Sequence, residues 1–333
     1  MHGKRGRNKM KRRMLGKTDL SVSEICLGSM YFGWREPKEQ SLERLDQFVE
    51  AGGNFIDTAN IYAMHHLNDK DYFGKDRDLF IDGGSERLLG EWMKEKKNRS
   101  QLILATKLGF PYPGTDYGTS AAQIKEECEK SLKRLGTDYV DLLYLHTDDR
   151  NTPLEESLTA LGELVAEGKV RYIGASNFTA WRLAQAIEIS KERNLPEYCC
   201  IQQRCTYLRP RTGTDFGGQI SVNEDMMDFV RESGMTLLAY SPLLGGYYND
   251  RTKPLMEQYQ GADTQARLNV LDQVAAEAGV TPAQAVYYWL MHSDPSVMPL
   301  VASSTRKQFE EALGVLEMEL SQEQMERLTK AGI

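Results

Sequence analysis

Short apolar runs alternate with longer amphipathic stretches through nearly the whole chain, starting near residue 24. The runs are Glu24–Leu27, Asn54–Asp57, Leu102–Lys107, Val140–His146, Val170–Ser176, Cys199–Gln203, Met235–Tyr240 and Val297–Val301. Several, such as VDLLYLH, are apolar at successive positions rather than at every second one. Parallel strands covered by helices on the outside read that way. Between the runs, Ser85–Lys97 and Ala121–Leu135 carry apolar residues at three- and four-residue spacing, which turns one helical face to a core. Strand–helix repetition predicts an α/β fold. Eight such units with no break in composition predict a single (β/α)8 TIM barrel over residues 13–333.

Turn and cap residues refine this picture. Arg13–Leu15, turning at Gly16–Asp19 into Val22, reads as a small N-terminal hairpin. Thr152-Pro153-Leu154-Glu155 and Thr281-Pro282-Ala283-Gln284 both read as capping boxes with proline at the first helical position, and Ser321 with Gln324 as a third. The last two mark helices beyond the repeat, Pro282–His292 and Gln322–Lys330. Three connections are long: Ala63–Gly84, Tyr207–Val222 and Leu243–Asp263. All three leave the C-terminal ends of predicted strands, where barrel enzymes assemble their sites.

Composition narrows the function classes. At 333 residues and 41% hydrophobic the chain is ample for a large core. A net charge of −7 argues against a nucleic-acid surface. Basic residues cluster only in residues 1–12, which read as a disordered leader or an expression remnant. No apolar segment follows them, and no run of about 18 apolar residues occurs, so neither a signal peptide nor a membrane span is expected. The five cysteines (Cys26, Cys128, Cys199, Cys200 and Cys205) are odd in number and lack CxxC spacing, so no disulfide framework and no metal site is expected. Cys199 and Cys200 should be buried on a strand, and the compartment should be the reducing cytoplasm.

Four residues then carry the chemistry. Asp57, Tyr62, Lys107 and His146 each fall at or just past the end of a predicted strand. Together a carboxylate, a phenol, an ammonium and an imidazole can deliver a proton to a carbonyl oxygen. Tyr62 is the donor in this reading. A free phenol has a pKa of about 10, and a cation within about 4–6 Å lowers it. Lys107 is that cation, Asp57 compensates its buried charge, and His146 orients the substrate oxygen. In the reverse direction the Tyr62 phenolate takes the proton of an alcohol. Singly, these residues read as an ion pair, a loop aromatic and a core histidine; the joint pattern, with Asp57 and Tyr62 five apart, does not.

From about Leu15 to Leu328 the sequence resembles the aldo-keto reductases, and the four residues match that family's tetrad. The resemblance implies a nicotinamide cofactor, NADPH first and NADH as the alternative. It also implies how that cofactor is held without a G-x-G-x-x-G fingerprint, which is absent. Ser176 and Asn177 in GKVRYIGASNF, with Gln202, match the partners of the carboxamide. Gln203 points to the other face of its strand. In LLAYSPLLGG, Tyr240 matches the aromatic that stacks on the nicotinamide, and Ser241, Pro242 and Leu243 match the backbone beside the pyrophosphate. In VASSTRKQFEEAL, Ser303, Ser304, Thr305 and Arg306 supply hydroxyls and a cation suited to a 2′-phosphate at a helix start. Gln308 and Glu311 match positions around the adenine. Ala302 and Ala312 depart from the glycine or lysine and the asparagine found there in many members.

For the substrate, Trp34 and the loop residues His65, His66 and Tyr72 form the expected walls, suited to a polyol, a sugar or an aromatic aldehyde. The leading function is NADPH-dependent reduction of aryl, aliphatic or sugar carbonyls. The alternatives are a sugar or polyol dehydrogenase and a cofactor-sensing regulatory subunit. Expected partners are a small carbonyl or alcohol, with no nucleic acid and no membrane; the sequence does not set the oligomeric state.

Overall fold

In the computed structural model the described residues are 10–33, 35–63 and 83–332. The chain opens on an antiparallel hairpin of β1 (Arg12–Met14) and β2 (Ser21–Ser23). Eight parallel strands then close into a barrel: β3 (Cys26–Gly28), β4 (Phe55–Asp57), β5 (Ile103–Leu108), β6 (Val140–Leu145), β7 (Val170–Ser176), β8 (Tyr198–Arg204), β9 (Thr236–Tyr240) and β10 (Val297–Val301). Pairing of β10 with β3 completes the closure. The ends differ from the sequence expectation by no more than two residues.

The outer ring holds ten helices among the described residues: α1 (Lys38–Glu50), α2 (Gly84–Lys96), α3 (Ala121–Leu135), α4 (Leu154–Ala166), α5 (Ala180–Arg193), α6 (Glu224–Ser233), α7 (Thr264–Ala278), α8 (Pro282–Met291), α9 (Arg306–Gly314) and α10 (Gln322–Lys330). None is long and apolar enough to cross a membrane. Thr281 and Ser321 form the expected capping boxes with Gln284 and Gln324. The box at Thr152 does not form: its hydroxyl donates to Asp149 Oδ2 at 2.6 Å, and α4 starts from Pro153 without a side-chain cap. Asp149 also accepts from the backbone N–H of Thr119 and Asn151, so a carboxylate already fixed in the loop outcompetes the helix end.

Two apolar regions follow from this geometry. The larger fills the space between barrel and helices. The smaller lies inside the barrel, where Leu15, Leu20 and Val22 of the hairpin pack on Phe55, Leu142, Tyr144, Cys200 and Met298. The hairpin thus stops the barrel at the end opposite the strand C-termini. Gly16 makes the close approach possible: its φ is +55°, and a Cβ there would fall 2.1 Å from the carbonyl oxygen of Cys199. Cys199 and Cys200 are buried on β8 as free thiols, the Cys199 Sγ–H donating to Cys200 Sγ at 3.8 Å.

Candidate active site

Asp57 ends β4 and Lys107 lies near the end of the neighbouring β5, so their side chains meet inside the barrel mouth. Lys107 Nζ donates to Asp57 Oδ1 at 2.5 Å, to the carbonyl oxygen of Thr58 at 2.6 Å and to Tyr62 Oη at 3.1 Å. Three oxygens around one ammonium satisfy its three donors. Tyr62 reaches this point through a tight run after β4, pinned by Thr58 N–H to Ala105 O and Asn60 N–H to Lys107 O. Asp57 Oδ2 accepts from Gln202 Nε2 at 2.9 Å, so the carboxylate is bonded on both oxygens. Asp57 and Lys107 are both fully buried.

Burial, the largest influence, pushes the Asp57 carboxyl up, against the pull of Lys107 and Gln202. Burial acts to lower Lys107, but Asp57 and Tyr62 outweigh it and the ammonium is held above its ordinary range. For Tyr62 burial raises the phenol and Lys107 lowers it, with burial prevailing. The lowering expected from Lys107 is therefore present but not dominant, and the resting phenol keeps its proton near neutrality.

His146 follows β6, with its N–H on Leu108 O and its carbonyl accepting from Asn177 Nδ2 at 2.9 Å. Its ring lies 6.0 Å from that of Tyr62 and 4.7 Å from that of Phe110, centroid to centroid. Asn177 is in the left-handed region at φ 60° and acts as a brace. Besides His146 it donates to Ser176 Oγ, while its Oδ1 accepts from Tyr240 Oη at 2.7 Å and from Ile220 N–H at 3.1 Å. Gln203, on the opposite face from Gln202, bonds Asn177 N–H and Phe178 O and stays out of the cleft.

A cleft of about 1110 Å³ runs from Tyr62, His146 and Gln202 past Tyr240 and Ser241–Leu243 to Ser303, Ser304, Gln308 and Glu311. Asn177 reaches its surface; Ser176 does not. Ala302 and Ala312 line the far end. At that end Ser303 Oγ is buried without a hydrogen-bond partner.

Two residues expected there face elsewhere. Thr305 caps α9 by accepting from Gln308 N–H. Arg306 bonds Glu43 at 2.6 Å and Glu310 at 2.9 Å and lines a separate cavity of about 290 Å³ with Gln47 and Glu50. The carboxylate of Glu43, on α1, draws it away from the cleft. Trp34, His65, His66 and Tyr72 lie outside the described residues. Phe110, Gln219, Arg204 and Lys253 line the cleft although the sequence reading did not single them out. Lys253 sits in the long Leu243–Asp263 connection, where a cation at the barrel mouth was the available signal. Its Nζ donates to Gly245 O at 2.8 Å.

The chain belongs to the aldo/keto reductase family, whose sequence profile matches residues 24–333. It is thus an oxidoreductase of carbonyl reduction. It is 32% identical to the norsolorinic acid reductase stcV of Emericella nidulans, over 92% of this chain and 77% of that protein. It is 30% identical to norsolorinic acid reductase B of Aspergillus parasiticus, over 87% of this chain and 75% of that protein. It is 28% identical to the uncharacterized oxidoreductase YrpG of Bacillus subtilis, over 93% and 92%.

Proposed function

We propose that this protein reduces an aldehyde or ketone to the alcohol, with NADPH as hydride donor and Tyr62 as proton donor. The observation that carries the reading is the chain Asp57–Lys107–Tyr62, in which one buried ammonium bridges a carboxylate and a phenol at the floor of the cleft. The substrate oxygen sits between Tyr62 Oη and the His146 ring. As that oxygen gains charge, Tyr62 gives up its proton, and Lys107 stabilises the phenolate left behind. Asp57 keeps Lys107 charged and fixed, so no reorganisation is needed at that moment.

The cleft suits a dinucleotide. A reduced nicotinamide, when bound, supplies the hydride for the carbonyl carbon. Tyr240 offers its ring to the nicotinamide face. Gln202 has its Nε2 on Asp57, which leaves Oε1 to accept from a carboxamide NH2. Ser176 and Asn177 serve by bracing His146 and Tyr240. The Ser241–Leu243 backbone and Lys253 face the phosphates. The orphaned hydroxyl of Ser303, with Ser304, Gln308 and Glu311, meets the adenosine. Lys253, which lines the cleft where Arg306 does not, is the cation we assign to a 2′-phosphate. NADPH consumption over a panel of aryl, aliphatic and sugar carbonyls tests the proposal. Tight NADPH binding without turnover of any of them would overturn it in favour of a cofactor sensor.

A further inference from the structure

Arg204 ends β8 and lines the cleft, yet it is only 7% exposed. The other buried arginines among the described residues have anionic or carbonyl partners. Arg44 pairs with Glu36, Arg134 with Glu86 and Arg182 with Asp148. Arg267 donates to the carbonyls of Tyr207 and Ala331. Arg204 has neither a carboxylate nor a backbone carbonyl on its guanidinium. One Nη reaches Gln219 Oε1, the other lies 3.9 Å from Met256 Sδ, and Nε has no hydrogen bond. The rings of Phe216 and Tyr240 flank the guanidinium at 4.9 and 5.5 Å. Its surroundings are neutral: an amide, a thioether and the phenols of Tyr240 and Tyr259, which burial keeps protonated and which lie close enough to interact with the guanidinium, while Nε stays unpaired.

A guanidinium held out of water with unused donors is unfavourable unless a ligand completes it. The backbone holds it in place, since Arg204 N–H bonds Ile220 O and Val222 N–H bonds Arg204 O. Gln202, two residues earlier on the same face of β8, touches Asp57. Arg204 therefore stands about 6.6 Å farther toward the mouth, at about 3.3 Å per residue.

We infer that Arg204 is the anion-recognition residue of the substrate pocket, and that the favoured substrate is a carbonyl compound bearing a carboxylate on an aryl or similarly flat spacer. This deepens the reductase reading and rests on it. With the carbonyl oxygen between Tyr62 and His146, the carboxylate takes Nε and one Nη of Arg204, and the spacer packs against Phe110. Gln219 then yields its bond or shares it.

The test uses the full chain, NADPH and a matched pair, 4-carboxybenzaldehyde and its methyl ester, with wild type, Arg204→Met and Arg204→Lys. Wild type should favour the acid by on the order of tenfold or more in kcat/KM, as a charge-assisted hydrogen bond provides. Arg204→Met should bring the ratio to about one, mainly through KM, and Arg204→Lys should restore part of it, with the same NADPH Kd in all three. A wild-type ratio near one, or a ratio unchanged in Arg204→Met, overturns the inference. So does an Arg204→Met variant that loses NADPH affinity while keeping the ratio, since Arg204 would then serve a cofactor phosphate. If Arg204→Met fails to fold, product inhibition of wild type decides. Inhibition by 4-(hydroxymethyl)benzoate far stronger than by its methyl ester supports the assignment, and equal inhibition overturns it. Equal turnover of both aldehydes removes this inference alone, whereas no turnover of either, with NADPH bound, removes the reductase reading as well.

Discussion

At one end of the cleft the reactive side chains come from the ends of barrel strands and are bonded to one another; at the other they come from a loop and a helix start, and Ser303 keeps an orphaned hydroxyl. The first end is complete as folded: Lys107 has three oxygen partners and both oxygens of Asp57 are taken. The second leaves polar groups for a ligand to satisfy. In the proposed reading, reaction geometry depends on the parallel sheet and cofactor affinity on connections that tolerate change. Substitutions at the two ends should separate turnover from binding.

The sharpest break is at Tyr62. Tyr62→Phe keeps the ring and removes the proton, and should cost about 10²–10⁴-fold in kcat with NADPH Kd unchanged; turnover near wild type would dismiss Tyr62 as the acid. The pH profile carries the same assignment. A donor acts while protonated, so reduction should be lost only as pH rises through the Tyr62 pKa, which lies above the usual phenol value of about 10. Oxidation of the alcohol needs the phenolate and should climb with pH over the same range. A reduction rate that falls between neutrality and pH of about 8 would contradict the direction of the shift.

Lys107→Met should act on the fold as well as on the reaction, because it strands the buried Asp57 carboxylate with Gln202 as its remaining side-chain partner. Breaking such a pair costs about 3–5 kcal/mol, read as a lower urea midpoint. A midpoint equal to wild type would mean that Asp57 is not held as an anion. At the opposite end, Lys253→Ala should weaken NADPH about ten- to hundredfold, the value of a charge-assisted hydrogen bond, and should leave kcat at saturating cofactor near wild type. Arg306→Ala should leave the affinity for NADPH near wild type, since its exposed guanidinium is paired with Glu43 and Glu310. A selective loss of NADPH affinity in Arg306→Ala but not in Lys253→Ala would reverse the two roles.

What was legible in the sequence follows the same division. The strands were readable because burial on both faces leaves continuous apolar runs, and the meeting of Asp57 with Lys107 because both lie at the ends of neighbouring strands. The cap at Thr281 was readable because its partners lie within three residues. Thr152 was not, because Asp149 competes from the loop before it. Arg306 faces away from the cleft for a similar reason at longer range: a side chain at a helix start points to whichever carboxylate the fold brings near, here one from α1. Arg204 reads as the polar end of YCCIQQR. Its lack of an anionic partner is a property of three-dimensional neighbours that no local pattern records.

The hairpin that stops the barrel has a kinetic consequence. With Leu15, Leu20 and Val22 packed into the interior from below, traffic to the tetrad passes through the upper mouth. In the proposed reaction nicotinamide and substrate share that entrance, and the carbonyl lies above a ring seated on Tyr240. Ordered binding is therefore expected of the proposed reaction, with the cofactor entering first and leaving last. Initial-rate patterns should be sequential, and the alcohol product should be noncompetitive against NADPH while NADP+ competes with it directly.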